Sequence, residues 1–153
     1  TKGEGSNQSN LGTTAISPGE VLVVRNLMID FKNDNGKRIG MNPDTIIVKK
    51  GTAAEATAFE IINTSGKVDV AVNNINFHQG RYKLITLDYL SGANDWGMVD
   101  WEYMQQWLTW YDRVPMMFFR DTQIDTLVAR FAAYTAFSYG WDDWRWLYWE
   151  NVA

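Results

Sequence analysis

The 153-residue chain contains no cysteine and only one histidine, His78. The lack of cysteine excludes disulfides, zinc–thiolate sites and thiol catalysis. A lone histidine has no second imidazole with which to complete a metal shell, and no nucleophile motif accompanies it. A histidine in a polar loop is more often an ordinary side chain than a functional one. The sequence therefore predicts a protein that is not an enzyme and has no catalytic residue, no metal site and no cofactor site.

Positive charge and long apolar runs are also scarce. Fourteen Lys and Arg against 18 Asp and Glu give a net charge of −4, and no Lys/Arg stripe is present to neutralise nucleic-acid phosphates. No stretch approaches the roughly 20 apolar residues of a membrane helix, and no secretory signal pattern begins the chain. Gly36 and Gly40 lack the following Lys-Ser/Thr of a phosphate-binding loop. We expect a soluble protein without a membrane partner.

Aromatic residues are abundant and unevenly placed. All eight tryptophans lie after residue 95, at Trp96, Trp101, Trp107, Trp110, Trp141, Trp144, Trp146 and Trp149. They can pack between sheets or between subunits, which we favour, or form a flat platform for sugar rings, as in a carbohydrate-binding β module. A monomer with this much bare aromatic surface would aggregate. We predict that the tryptophans divide between an internal sheet interface and contacts between subunits.

Three pairs of aspartates could act as the paired carboxylates of a glycosidase. They are Asp142 with Asp143, Asp95 with Asp100, and Asp121 with Asp125. Each pair also falls at a predicted turn, where an aspartate accepts hydrogen bonds from backbone N–H groups. The turn interpretation is the one we favour.

The first helix is predicted between about residues 18 and 33. Ser17-Pro18-Gly19-Glu20 supplies an N-cap, a proline at the first helical position and a glutamate at the third. Asn33-Asp34-Asn35-Gly36 ends the helix, because Asn and Gly tolerate the left-handed backbone of a helix exit. The apolar face, which we expect to pack on a sheet, comprises Val21, Val24, Met28 and Phe31.

A second helix is predicted to begin at the capping box Thr52-Ala53-Ala54-Glu55 and to end at Thr64-Ser65-Gly66. Its predicted apolar stripe comprises Ala56, Phe59 and Ile62. The β-branched run Thr45–Val48 precedes it and is typical of a strand buried on both faces. Residues 73–80 are polar and loop-like, and Tyr82–Leu90 is predicted to be a strand with apolar residues on both faces.

The aromatic third of the chain is predicted to be mainly strands. Residues 106–111 and 116–120 are read as two strands separated by Asp112–Pro115. Residues 127–139 fit either a helix or a strand, and we favour a long strand because Phe, Tyr and Thr gather toward its end. Gly140–Asp143 is a turn, and residues 144–150 form a final strand.

Mixed helices and strands place the chain in the α+β class.

An ordered set of segments resembles the tailed-bacteriophage major capsid proteins, especially the Mu-like major head subunits. The segments are Leu11, Ala15-Ile16-Ser17-Pro18, Met28, Asp34-Asn35-Gly36-Lys37, Ile39, Asn42-Pro43-Asp44-Thr45-Ile46-Ile47-Val48, Ala56, Asn94-Asp95-Trp96, Arg120-Asp121-Thr122 and Gly140-Trp141-Asp142-Asp143-Trp144-Arg145. They span nearly the whole chain in the order of the family. Lys49-Lys50 replaces the Pro-Pro that usually follows the family's Val strand.

The resemblance implies the Hong Kong 97-type fold, with the end of a spine helix and mixed sheets of the peripheral and axial domains. It divides the chain into an arm or linker at 1–14, a helix and strand of the peripheral domain at 15–50, the axial domain at 51–126, and strands that complete the sheet at 127–153. It implies the later part of a subunit, without the N-terminal arm, the extended β-loop and the start of the spine helix. The implied function is a virion shell protein, assembled in the host cytoplasm. Its partners would be many copies of itself as pentamers and hexamers, decoration or scaffolding proteins, and packaged DNA only indirectly. An encapsulin-type shell, a carbohydrate-binding β module and a glycosidase fragment are the alternatives.

Overall fold

The computed structural model describes residues 8–66 and 74–152. Its described elements confirm the predicted α+β class. In chain order they are β1 (Leu11–Gly12), α1 (Pro18–Ile29), β2 (Thr45–Lys49), α2 (Ala53–Asn63), β3 (Lys83–Leu87), β4 (Trp96–Val99), α3 (Trp101–Trp107), β5 (Leu108–Gln123), β6 (Val128–Trp141) and β7 (Leu147–Glu150). No helix among these elements is long and apolar enough to cross a membrane.

The chain divides into two compact units. The first, called the sheet unit, comprises Thr1–Gln105 and Trp144–Ala153, and the second, called the ribbon unit, is Gln106–Asp143. In the predicted division of the chain, residues 1–7 of the arm and residues 67–73 of the axial domain lie outside the described residues, as does Asn73 of the predicted 73–80 loop. Residues 77–80 of that loop form a turn.

The sheet unit is built on a five-stranded mixed sheet in the order β1-β7-β4-β2-β3. β2 lies parallel to β3 and antiparallel to β4, and β7 lies antiparallel to β4 and parallel to β1. All four residues of β4 are buried, and Ile46 and Val48 of β2 are fully buried. Central strands buried in this way need apolar residues at successive positions, as the Thr45–Val48 run predicted.

Helix α1 begins as the sequence predicts. The Ser17 side chain accepts a hydrogen bond from the Glu20 N–H at 3.2 Å, and Val21, Val24 and Met28 are fully buried. The helix ends at Ile29, about four residues before the predicted end. The Asn33–Gly36 segment instead forms a separate turn, in which the Asn33 side chain accepts from two backbone N–H groups.

Helix α2 has the predicted bounds but a different buried face. Its buried residues are Ala54, Ala58, Ile61 and Ile62. Ala56 is exposed and Phe59 is 59% exposed, so the predicted stripe of Ala56, Phe59 and Ile62 is wrong at two of its three positions. The small residues Ala54 and Ala58 allow close packing, whereas the predicted stripe followed the bulkier side chains.

The region after α2 departs further from prediction. β3 covers only Lys83–Leu87 and is an edge strand, largely exposed, rather than a strand apolar on both faces. β4 and α3 were not predicted. In β4, Gly97 faces Trp149 of β7 and the Trp149 ring lies against it, so the glycine leaves room for an indole.

The ribbon unit is a two-stranded antiparallel hairpin of β5 and β6. The predicted strands 106–111 and 116–120 are parts of the single 16-residue β5, while Gln106 and Trp107 belong to α3. Asp112–Pro115 is not a turn but carries register shifts, as expected where proline has no N–H to donate. The long strand predicted over 127–139 is confirmed as β6, and β7 begins at Leu147 rather than residue 144.

Candidate functional site: an aromatic ribbon

The register of the ribbon assigns each side chain to one of its two faces. Leu108 pairs with Trp141, Trp110 with Tyr139, Phe118 with Ala133, and Arg120 with Phe131. Paired residues lie on the same face of an antiparallel ladder, and alternate residues of a strand lie on the same face. The residues of one face, called the aromatic face, include Leu108, Trp110, Phe118, Phe131, Phe137, Tyr139 and Trp141.

The opposite face has fewer large side chains. Its paired positions include Tyr111 with Ser138, Met117 with Tyr134, and Phe119 with Ala132. The register shifts both add a residue to β5, so β6 keeps its alternation throughout. β6 therefore contributes Phe131, Phe137, Tyr139 and Trp141 to the aromatic face. Its only aromatic side chain on the opposite face is Tyr134.

The aromatic side chains of the ribbon are open to solvent. Nine of them are at least half exposed, from 53% for Phe119 and Phe137 to 78% for Phe118. Trp110 stacks on Phe137 with ring centroids 4.4 Å apart, and its Nε1 donates to Asp112 Oδ1 at 2.8 Å. These contacts order the rings along the ribbon but leave the surface uncovered.

The eight tryptophans do not form one exposed platform. Only Trp110 and Trp141 are mostly exposed, and both lie on the aromatic face. Trp96 is fully buried and donates from Nε1 to the Thr14 carbonyl at 2.9 Å, while Trp144 packs edge-on against Phe31. The remaining tryptophans are partly covered.

One of the three predicted aspartate pairs, Asp95 with Asp100, accepts hydrogen bonds from backbone N–H groups. Asp95 is 4% exposed and accepts from the Val152 N–H, and Asp100 is 3% exposed and accepts from the N–H groups of Asn42 and Tyr103. Asp121, Asp125 and Asp142 are exposed. Within residues 8–66 and 74–152 no group of three or more His, Asp or Glu side chains could hold a metal ion.

Two buried titratable groups were not anticipated. Glu150, at the end of β7, is 1% exposed, and its Oε2 accepts the Thr14 N–H at 2.7 Å. Burial raises the pKa of Glu150 above its ordinary value of 4.5, the Thr14 bond lowers it, and nearby Glu20 raises it. His78, expected to be an ordinary loop side chain, is 5% exposed.

The sequence contained a signal for the ribbon face but not for the buried groups. Odd positions from 131 to 141 read Phe, Ala, Thr, Phe, Tyr and Trp, while the even ones carry a single aromatic residue. This alternation shows one aromatic-rich face once a strand is assumed. No local pattern marks Glu150 or His78, because contacts distant in the sequence bury them.

Comparison of the chain with protein-family models, with curated proteins and with solved structures found no match.

Proposed function

We propose that the chain is a shell-forming subunit of an icosahedral, phage-like particle, a major capsid protein with the Hong Kong 97-type fold. The observation that carries the proposal is the exposed aromatic face of the ribbon. A two-stranded hairpin is marginally stable alone in water, and a bare apolar face of this length promotes aggregation. Such an element needs a covering layer, which neighbouring subunits provide in a shell.

The exposed area is large enough for a subunit interface. A fully buried aromatic side chain covers about 150–250 Å², so the six aromatic side chains of the aromatic face, each more than half exposed, leave on the order of 800 Å². A standard protein interface buries roughly 800 Å² per partner. The aromatic face therefore offers about the area that one partner contributes to a standard interface.

Residues that carry the family resemblance also support the proposal, because several of them meet in space. Arg145 of the Asp142–Arg145 segment donates from Nη2 to Asp34 Oδ1 at 3.1 Å, which joins it to the Asp34–Lys37 segment. Val48 of the Asn42–Val48 segment pairs with Trp96 of the Asn94–Trp96 segment in the adjacent antiparallel strands β2 and β4. Segments quoted for the resemblance thus make long-range contacts within the sheet unit, as expected for parts of one fold.

The proposal is tested by assembly of the purified chain and two matched variants. Phe137 and Tyr134 are on the same strand and are 53% and 54% exposed, but they lie on opposite faces. Phe137→Asp places a charge on the aromatic face, and Tyr134→Asp places one on the other. We expect large particles or closed rings by electron microscopy and sedimentation velocity, with Phe137→Asp reducing assembly at least tenfold and Tyr134→Asp reducing it less.

The alternatives give different outcomes. A wild-type chain that remains a monomer at micromolar concentration and is retarded on polysaccharide gels would contradict the shell proposal and support a carbohydrate-binding module. Assembly into shells that enclose a protein cargo rather than DNA would favour the encapsulin-type alternative. Equal effects of the two variants would show that the aromatic face is not the assembly surface.

A further inference from the structure

The loop before β3 holds a buried polar cluster away from the ribbon. Asn76 fixes the loop, because its side chain donates to the carbonyls of Ile61 and Thr64 at 2.6 and 2.9 Å at the end of α2. The Asn76 side-chain oxygen also accepts the His78 N–H at 2.9 Å. His78 is therefore presented by a loop that is bonded to a helix end, not by an open coil.

Two polar atoms in this loop are buried without a partner. His78 and Tyr82 are 5% and 6% exposed, and their ring centroids are 5.8 Å apart. Within residues 8–66 and 74–152, neither His78 Nδ1 nor the Tyr82 hydroxyl has a hydrogen-bond partner. A buried polar group left unpaired costs about 1–3 kcal/mol, so a pair of neighbouring residues with this property indicates a place for a ligand.

Two arginine side chains lie beside the Phe77 ring, which packs against His78. The Arg81 guanidinium carbon is 4.0 Å from the centre of the Phe77 ring and that of Arg25, on α1, is 5.9 Å from it, while the same ring packs edge-on against His78 at 5.4 Å. Neither arginine forms an ion pair with a carboxylate of the described residues. The cluster thus has two positive charges and no described counter-charge.

The protonation of the imidazole follows from its surroundings. Burial lowers the pKa of His78 below its ordinary value of 6.5, a hydrogen bond to the Pro18 carbonyl raises it, and the charges of Arg81 and Arg25 lower it. Burial also raises the pKa of Tyr82, so its phenol keeps the proton that it can donate. The α2 groups that bond to the loop are the backbone carbonyls of Ile61 and Ile62.

We propose that His78, Tyr82, Arg25 and Arg81 form a binding site for a small oxyanion, either a tetrahedral phosphate-like ion or a carboxylate. The two guanidinium groups and the phenol donate to the anion oxygens. Binding draws a proton onto the imidazole, so that the imidazolium donates to the anion from Nδ1. Affinity therefore falls as pH rises from 6 to 8, because the proton must be taken up against the burial and the two arginines.

The test is calorimetric titration of the full chain with sodium sulfate, which does not titrate near neutral pH, in two buffers of different ionisation enthalpy. We expect saturable binding with uptake of up to one proton per anion. Arg81→Gln and Tyr82→Phe should weaken binding about tenfold, the loss of one charge-assisted hydrogen bond. His78→Gln should abolish the proton uptake. Arg113→Gln in the ribbon should leave both the anion affinity and the proton uptake unchanged.

Sodium chloride at equal ionic strength is the control for non-specific ion binding, and sodium acetate is the probe for a carboxylate ligand. Saturable binding of acetate but not sulfate identifies a carboxylate as the ligand, and the reverse identifies a phosphate-like ion. No saturable heat with either salt, a heat that chloride reproduces, or binding that survives Arg81→Gln and Tyr82→Phe would overturn the proposal. The titration does not depend on whether the chain assembles, so it is separate from the test of the shell function.

Discussion

Glu150 is a single side chain whose carboxylate is buried within the sheet unit. Glu150 lies opposite Gly12 in β1 and Trp96 in β4, so the arm segment before α1 covers its carboxylate. No ion pair to Glu150 exists among the described residues, and its carboxylate is stabilised by the hydrogen bond from the Thr14 N–H. A carboxylate held this way is more costly ionised than protonated.

We expect Glu150 to make stability depend on pH with a definite sign. Because the folded pKa is raised, the stabilisation from this group is complete below about pH 4.5 and is lost as pH rises through the folded value. Glu150→Gln keeps an acceptor for Thr14 and removes the charge, so it should stabilise the chain at pH 8 and flatten the pH dependence. Urea unfolding of wild type and Glu150→Gln at pH 5 and pH 8 measures the stabilisation at pH 8 and the change in pH dependence.

Glu150→Ala separates the charge from the hydrogen bond. It leaves the Thr14 N–H without its acceptor and opens a cavity, so it should cost about 1–3 kcal/mol at both pH values. If Glu150→Gln is as destabilising as Glu150→Ala at pH 8, the buried charge is not the source of the pH dependence.

Elements are set by local signals whose contribution can be measured one at a time. Ser17 caps α1 through the Glu20 N–H. Ser17→Ala should lower the free energy of unfolding by about 1 kcal/mol, and Ser17→Asp should restore most of it because Asp is also a good cap. Chemical denaturation of the three proteins checks this, and an unchanged Ser17→Ala variant would show that packing alone fixes the helix start.

A glycine within a buried strand gives the second element-scale prediction. A Cβ at Gly97 would overlap the Trp149 ring, so Gly97→Ala should destabilise the sheet by about 1–3 kcal/mol. Gly140 in β6 is the matched control, since nothing lies within 4 Å of a Cβ there. Thermal unfolding compares the two, and similar melting temperatures would mean that the Trp149 ring moves aside.

Prediction from sequence succeeds here where a signal is local and fails where it is not. The Ser17 cap, the β-branched Thr45–Val48 run and the long 127–139 strand were recognisable because their residue types act on their own segment. β4 was missed because Trp-Gly-Met-Val becomes interpretable as a strand only when Trp149 fills the space over Gly97. The same limit applies to His78, whose surroundings include Pro18 and Arg25 of α1, more than 50 residues earlier in the chain.

At the scale of the whole molecule, assembly should govern stability. If neighbouring copies cover the aromatic face, binding stabilises only the folded state, and the melting temperature rises with protein concentration. We expect a measurable rise between about 1 and 100 μM for wild type and Tyr134→Asp. Phe137→Asp should melt at a concentration-independent temperature. Scanning calorimetry over this range tests the prediction, and a wild-type melting temperature that does not change would contradict it.

The order of strands in the sheet has a consequence for synthesis. β7 is the last described strand in chain order, yet it lies between β1 and β4 and is the only described strand that pairs with the two-residue β1. The sheet therefore cannot close until residues 147–150 have been synthesised, which is after synthesis of the ribbon at 106–143. Closure of the sheet leaves the aromatic face exposed, so under the proposed shell function the folded chain carries an aggregation-prone apolar surface until neighbouring copies bind.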